Sequence, residues 1–115
     1  MKKRTTAICL ILLLVAVLGA GCRRSPWNDG EYRGEGQGYK GPISINLTIA
    51  RGKIDAIVVT EQNDTAEIAE TAVNEVPQRI IRKQSTQVEV VSGATGTSNG
   101  IIEAVNDALE KARKQ

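Results

Sequence analysis

The chain has 115 residues, with 15 lysines and arginines against 13 acids, two cysteines and no histidine. Without histidine, Ser–His and Cys–His nucleophiles, His-ligated haem and the usual zinc sites are excluded. The length allows one small domain.

Lys2, Lys3 and Arg4 form a basic start, Ala7 to Leu18 is apolar, and Leu18-Gly19-Ala20-Gly21-Cys22 closes the run with small residues before a cysteine. This reads as a secretory signal, its apolar run being short for a membrane span. Small residues ending on Cys resemble a bacterial lipoprotein signal. Cys22 would then be the lipidated first residue of a mature protein anchored in a membrane on its extracytoplasmic side. An ordinary signal peptide or an N-terminal anchor helix are the alternatives. With residues 1–21 removed, 94 residues remain, carrying twelve basic and thirteen acidic side chains. The positive balance thus belongs to the leader and gives no signal for nucleic acid. Cys9 leaves with the leader and Cys22 is the lipid site, so no disulfide braces the domain. The mature chain divides into a tether, 22–28, and a domain, 29–115.

In the tether, Trp27 is expected either to cover an edge of the core or to sit at lipid headgroups. Asp29 to Pro42 holds five glycines. It reads as a loop, and no helix comes after it that would make a dinucleotide fingerprint. Ile43 to Ile49 alternates apolar and polar residues, the period of a half-buried strand. Arg51-Gly52-Lys53 supplies a tight turn, and the β-branched run Ile54 to Thr60 is the return strand.

Asp64 or Thr65 is expected to cap the next helix, with Ile68, Ala69, Ala72, Val73 and Val76 on its apolar face. Pro77 should interrupt it, leaving Gln78 to Lys83 as a second short helix. Val88 to Val91 reads as a short strand. Ser98 is the expected N-cap of a last helix with an apolar stripe of Ile101, Ile102, Val105, Leu109 and Ala112. The order predicts an α+β domain, a small antiparallel sheet with helices packed on one face. The acids fall mostly on polar faces, as a solvated surface does. No catalytic residue and no metal ligand set is assigned.

Ser92-Gly93-Ala94-Thr95-Gly96-Thr97-Ser98 joins a small hydroxyl-rich loop to a helix start. There, unpaired N–H groups and a partial positive charge favour a phosphate. Thr95 has small neighbours on both sides, and Thr97, Ser98 and the first N–H groups are placed to receive phosphate oxygens. The alternative is a plain Gly-rich turn in which Thr97 and Ser98 only cap the helix.

The run Val88-Glu89-Val90-Val91-Ser92-Gly93-Ala94-Thr95-Gly96-Thr97-Ser98 resembles the signature of the FMN-binding domain in flavin-carrying subunits of Na⁺-translocating NADH:quinone reductase and Rnf complexes. The resemblance extends to Asp29-Gly30-Glu31-Tyr32, to Gly38-Tyr39-Lys40-Gly41-Pro42-Ile43 and to Gly52-Lys53-Ile54. It implies FMN carried as a phosphoester on Thr95, with Ser92, Gly93, Ala94, Thr97 and Ser98 around it. It also implies a separate Mg²⁺-using flavin transferase that moves the FMN phosphate from FAD, and membrane redox proteins as partners. The expected role is an electron-carrier module, not an enzyme. A non-covalent binder of FMN or another phosphate-bearing ligand, and a structural or inhibitory lipoprotein, are the alternatives. Two departures stand out. Glu89 occupies the family's usual Asp position, and Glu61-Gln62-Asn63-Asp64-Thr65-Ala66 replaces its E-T-P-G stretch. That stretch often lies near the flavin, so the second departure bears on the ring's contacts more than on its attachment.

Overall fold

The computed structural model describes residues 25–114. The leader 1–21 and Cys22 lie outside the described residues. Three strands, β1 (Gly30–Gln37), β2 (Pro42–Ala50) and β3 (Lys53–Glu61), precede two helices, α1 (Ala66–Lys83) and α2 (Thr95–Ala112). The strands form one antiparallel sheet in the order β1-β2-β3. Central strand β2 points Ile43, Ile45, Leu47 and Ile49 into the core, and Asn46 from its other face into solvent. Helix α2 packs across β1 and β2, while α1 packs on β3 and α2. The domain is α+β with helices over one face of the sheet, as expected.

The β2–β3 hairpin turns on two residues, Arg51 and Gly52, with φ of 55° and 73°. Positive φ at both positions is the type I′ geometry that matches strand twist. Asp29 fastens the turn, its carboxylate accepting the N–H groups of Arg51 (3.2 Å) and Gly52 (2.9 Å).

The glycine-rich segment is not the expected loop, because Gly30 to Gln37 is strand β1. Its glycines are required by proximity. A Cβ on Gly34 would lie 1.9 Å from the Ala104 carbonyl oxygen, and one on Gly36 would lie 2.1 Å from that of Gly100. Glycine within a strand marks such a close approach of another backbone. The buried face of α2 is small to match, with Gly100, Ala104 and Ala108 beside Ile101 and Val105. Ile102 and Leu109, expected in its stripe, are half-buried at the margin.

Val88 to Val91 pairs with no strand, so the short strand expected there is absent from the sheet. Both edges that could receive it are occupied or distorted. On β1, the Glu35 N–H donates to Asp107 (3.0 Å) and the Arg33 carbonyl accepts from Lys111 (2.7 Å). On β3, the Gln84 side-chain amide takes both the N–H (2.8 Å) and the carbonyl (3.0 Å) of Ile54. Register shifts opposite β2 leave Asp55 and Thr60 as extra residues. Side-chain cover and bulges are common protections of sheet edges.

Pro77 does not interrupt α1, which runs unbroken through it. The proline removes one backbone donor, but Val76, Pro77 and Ile80 are buried together, and that packing holds the helix across the missing bond. The face that α1 buries is Ala69, Ala72, Val76 and Ile80; Ile68 was expected on it but is exposed. Trp27 is half-buried against the core and bridges to Arg113 after α2, so it covers a core edge. Among the described residues no helix is long and apolar enough to cross a membrane.

The β1–α2 contact is testable. Gly34→Ala should destabilise the domain by about 3 kcal/mol, the upper end of the cost of overpacking, since the atom it meets is backbone. Glu31→Ala, exposed on the same strand, should stay within about 0.5 kcal/mol of wild type in the same urea titration.

Candidate functional site

The segment after α1 returns to the core at Val91, turns through Ser92 and Gly93, and enters α2 at Thr95. Gly93 has φ of 83°, while a Cβ there would meet nothing within 4 Å. Conformation, not space, therefore requires glycine. The N-cap is Ala94, whose carbonyl accepts the Ser98 N–H at 2.9 Å. No side chain caps the helix and no acid lies in its first turn. The N–H groups that open α2 are left without an intrahelical acceptor, as at any helix start, and no anionic side chain of that turn competes for them.

Ser98 is not the N-cap. The helix begins three residues earlier, and Ser98 is fully buried with its Oγ accepting the Val91 N–H at 3.0 Å. It ties the incoming segment to the helix. Thr97 is also buried, and its hydroxyl donates to Asp64 Oδ2 at 2.5 Å. Of the six residues expected around a phosphate, Ser92, Gly93 and Thr95 are exposed, while Ala94, Thr97 and Ser98 form the support beneath them. A charge introduced at Ser98 would therefore probe core packing and not an anion site.

Asp64 does not cap α1 with its side chain; the cap position is Thr65, which makes no side-chain cap bond either. The Asp64 carboxylate instead accepts the N–H groups of Tyr39 (3.1 Å) and Lys40 (2.6 Å) in the β1–β2 turn, as well as the Thr97 hydroxyl. It joins three segments at one point. Burial opposes its charge, but the Thr97, Lys40 and Tyr39 hydrogen bonds and the Lys40 ammonium outweigh this and hold its carboxyl below the usual carboxylate range. Sequence reasoning found Asp64 only as a cap, because a bond to a turn 24 residues away leaves no local pattern.

These segments enclose a cleft of about 210 Å³, lined by Gly93 to Thr97 on one part and by Tyr39, Asp64, Thr65 and Ile68 on the rest. Glu89 is exposed outside it, its carbonyl accepting from Arg79 at 2.9 Å. Among the described residues no group of three His, Cys, Asp or Glu side chains could hold a metal ion.

The domain is thus α+β, with an open Gly-Ala-Thr helix start on the rim of a cleft. Residues 38–110 match the model of the FMN-binding domain, and the chain belongs to that family. It is 40% identical over 90 residues to an uncharacterized protein of Treponema pallidum (strain Nichols), covering 78% of this chain and 25% of that protein. It is 34% identical over 86 residues to the NADH:acrylate oxidoreductase of Vibrio harveyi, covering 75% of this chain and 9% of that protein. The chain thus spans a quarter or less of the length of these relatives. A crystal structure of a Clostridium perfringens protein shares the fold, with a TM-score of 0.61 at 21% identity over 75% of this chain and 88% of that one. The residues present fit a flavin phosphate: an exposed hydroxyl, an uncapped helix start and open space above Gly93 meet at one rim.

The Asp64 cluster should show in acid. Its lowered carboxyl stabilises the fold above the ordinary carboxylate range, and this contribution is lost as the pH falls through the folded-state value. Asp64→Asn should cost about 2 kcal/mol at neutral pH, the scale of hydrogen bonds to a charged group. Its urea midpoint should then fall less than that of wild type between neutral pH and about pH 3.

Proposed function

We propose that this FMN-binding domain carries FMN as a phosphoester on Thr95 and serves as an electron carrier. The observation that carries the reading is the state of the hydroxyls within the Ser92–Ser98 run that carries the resemblance. Thr97 and Ser98 are buried and engaged, whereas Thr95 is exposed on the cleft at the first residue of α2. Ser92 is also exposed but does not line that cleft. The carboxylate that lines the cleft, Asp64, is taken up by the Tyr39 and Lys40 N–H groups and the Thr97 hydroxyl, which suits a Thr95 side chain modified by a separate flavin transferase. In that transfer Thr95 Oγ1 bonds to the FMN phosphorus of FAD, AMP leaves, and the hydroxyl proton passes to a base of the transferase. The N–H groups at the start of α2 receive the phosphate oxygens.

Bound there, the flavin supplies reversible one- and two-electron chemistry while the protein positions it and sets its potential. The cleft is smaller than the roughly 300–1,000 Å³ of pockets that enclose small molecules, so the ring stays partly open to redox partners. The likeness to an NADH:acrylate oxidoreductase supports an electron-transfer role. On this reading the chain hands on electrons and turns over no substrate itself. Its basic, apolar and Cys-terminated leader supports a lipid anchor on Cys22 that holds the domain on the extracytoplasmic side of a membrane.

Two variants test the reading. Thr95→Ala, produced with the transferase, should fold as wild type and lose the FMN mass from the tryptic peptide that contains position 95, Gln84 to Lys111. Flavin that leaves the wild type wholly on denaturation would instead mark a non-covalent ligand. Cys22→Ser should release the domain from membranes in fractionation, because anchoring depends on the acyl chains. Retention of this variant like wild type, with its leader cleaved, would overturn the lipid anchor.

A further inference from the structure

The described part of the tether is bound to the domain at one end. The Asn28 N–H donates to the Ala112 carbonyl at 2.8 Å, and the Lys114 N–H donates to the Pro26 carbonyl at 2.9 Å. Trp27 bridges to Arg113 between them. Ser25 lies against the β2–β3 turn, since a Cβ on Gly52 would come 2.6 Å from Ser25 Cβ. The described chain therefore begins where that turn and the end of α2 meet, three residues after Cys22. The C-terminus of α1 lies at the same end, because its cap Gln84 takes both backbone groups of Ile54 just past the turn. The cleft is at the opposite end, where Thr65 and Thr95 open the two helices and Tyr39 stands in the β1–β2 turn. The eighteen residues of α2 put the two ends roughly 27 Å apart.

Charge divides along the same axis. Three exposed basic pairs gather at the tether end: Arg51 and Lys53 at the β2–β3 turn, Arg82 and Lys83 closing α1, and Arg113 and Lys114 after α2. Of the acids there, Asp29 is taken up by the Arg51 and Gly52 N–H groups, and Glu110 pairs with Arg113 at 3.5 Å; Glu31 and Asp55 are the others. Toward the cleft the balance reverses. Glu35, Glu61, Asp64, Glu67 and Glu70 outnumber Lys40 and the Arg33 guanidinium, which sits 3.8 Å from Glu35 and 4.0 Å from Glu61. Arg23 and Arg24 add two more positive charges between Cys22 and Ser25 in the sequence.

We propose that the basic tether end docks on the headgroups of an anionic phospholipid bilayer and stands the domain upright, with the cleft turned away from the lipid. The proposal rests on the reading of Cys22 as the membrane anchor. Only three residues separate that anchor from Ser25, so the basic pairs are brought within reach of the headgroups. Anionic headgroups attract clustered Lys and Arg over a Debye length of about 10 Å in 0.1 M salt, and they repel the acidic end. The tether end is too mixed in sign to hold an unanchored domain. The anchor supplies the high local concentration, and the charge sets the orientation. An upright domain carries the Thr95 rim clear of the bilayer, open to a redox partner.

The test measures the height of the cleft above the bilayer in the lipidated full-length mature chain. A red dye attached through Glu67→Cys, at the start of α1, passes energy to an acceptor dye on the vesicle surface; acylated Cys22 has no free thiol to compete. In vesicles containing phosphatidylglycerol at low salt, transfer should be low. It should rise severalfold in pure phosphatidylcholine, at high salt, and in a variant that combines Lys53→Gln, Arg82→Gln and Lys114→Gln. These three side chains are exposed, so the variant keeps the core intact, and in pure phosphatidylcholine it should match the unsubstituted protein. Vesicle-bound protein whose transfer ignores both lipid charge and the substitutions would overturn the docking while leaving the anchor standing. A basic end made for an acidic protein partner gives that result. Protein that carries no lipid and stays with neither kind of vesicle would overturn both.

Discussion

The structure depends on one contact in which side chains have been removed so that backbones can meet. Strand β1 presents Gly34 and Gly36 to α2, which answers with Gly100, Ala104 and Ala108. Because neither glycine could carry even a methyl group, the axis of α2 lies unusually close to the sheet. That closeness lets Asp107 and Lys111 reach around to the free edge of β1 and satisfy its backbone groups. It also sets where the helix starts, and so where Thr95 stands relative to the β1–β2 turn.

Around that start the polar groups are divided by depth. The hydroxyls of Thr97 and Ser98 face inward and hold the Asp64 carboxylate and the Val91 amide, while Thr95 faces the cleft. Asp64 adds the two amides of the β1–β2 turn, so one buried carboxylate fixes three segments at once. Such a charge is tolerated under burial because donors meet its oxygens, and each becomes costly to remove for the same reason. The rim of the site is therefore rigid although it is made of loops and helix ends.

The remaining surface fits a carrier. Both outer edges of the sheet are covered or bulged, which discourages strand-to-strand association. The cleft is small, about 210 Å³, so a ligand larger than that attached at its rim presents part of itself outward. A domain of this size has no interior large enough to enclose a flavin without giving up its aliphatic core of Ile43, Ile45, Leu47, Ile101 and Val105.

Near-neighbour physics was legible in the sequence. The two-residue period of Ile43 to Ile49, the Arg51-Gly52 turn, the helix after Ser92–Ser98 and the α+β order come from spacing and turn chemistry, and the SGATGTS run carried the family. Tertiary contact decided the rest. Glycines that read as a loop became a strand because α2 crosses them. Pro77 stayed within α1 because its face is buried, and Val88 to Val91 found no free edge to pair with. Ser98 lost its capping place because the helix winds back to Ala94, leaving Thr95 as the exposed hydroxyl that the SGATGTS run sets on the cleft. Asp64, Tyr39 and Ile68 meet Thr95 only in three dimensions. Periodicity reports which face of an element is apolar, whereas close backbone approach and hydrogen bonds between residues 24 to 33 positions apart depend on how the elements are stacked.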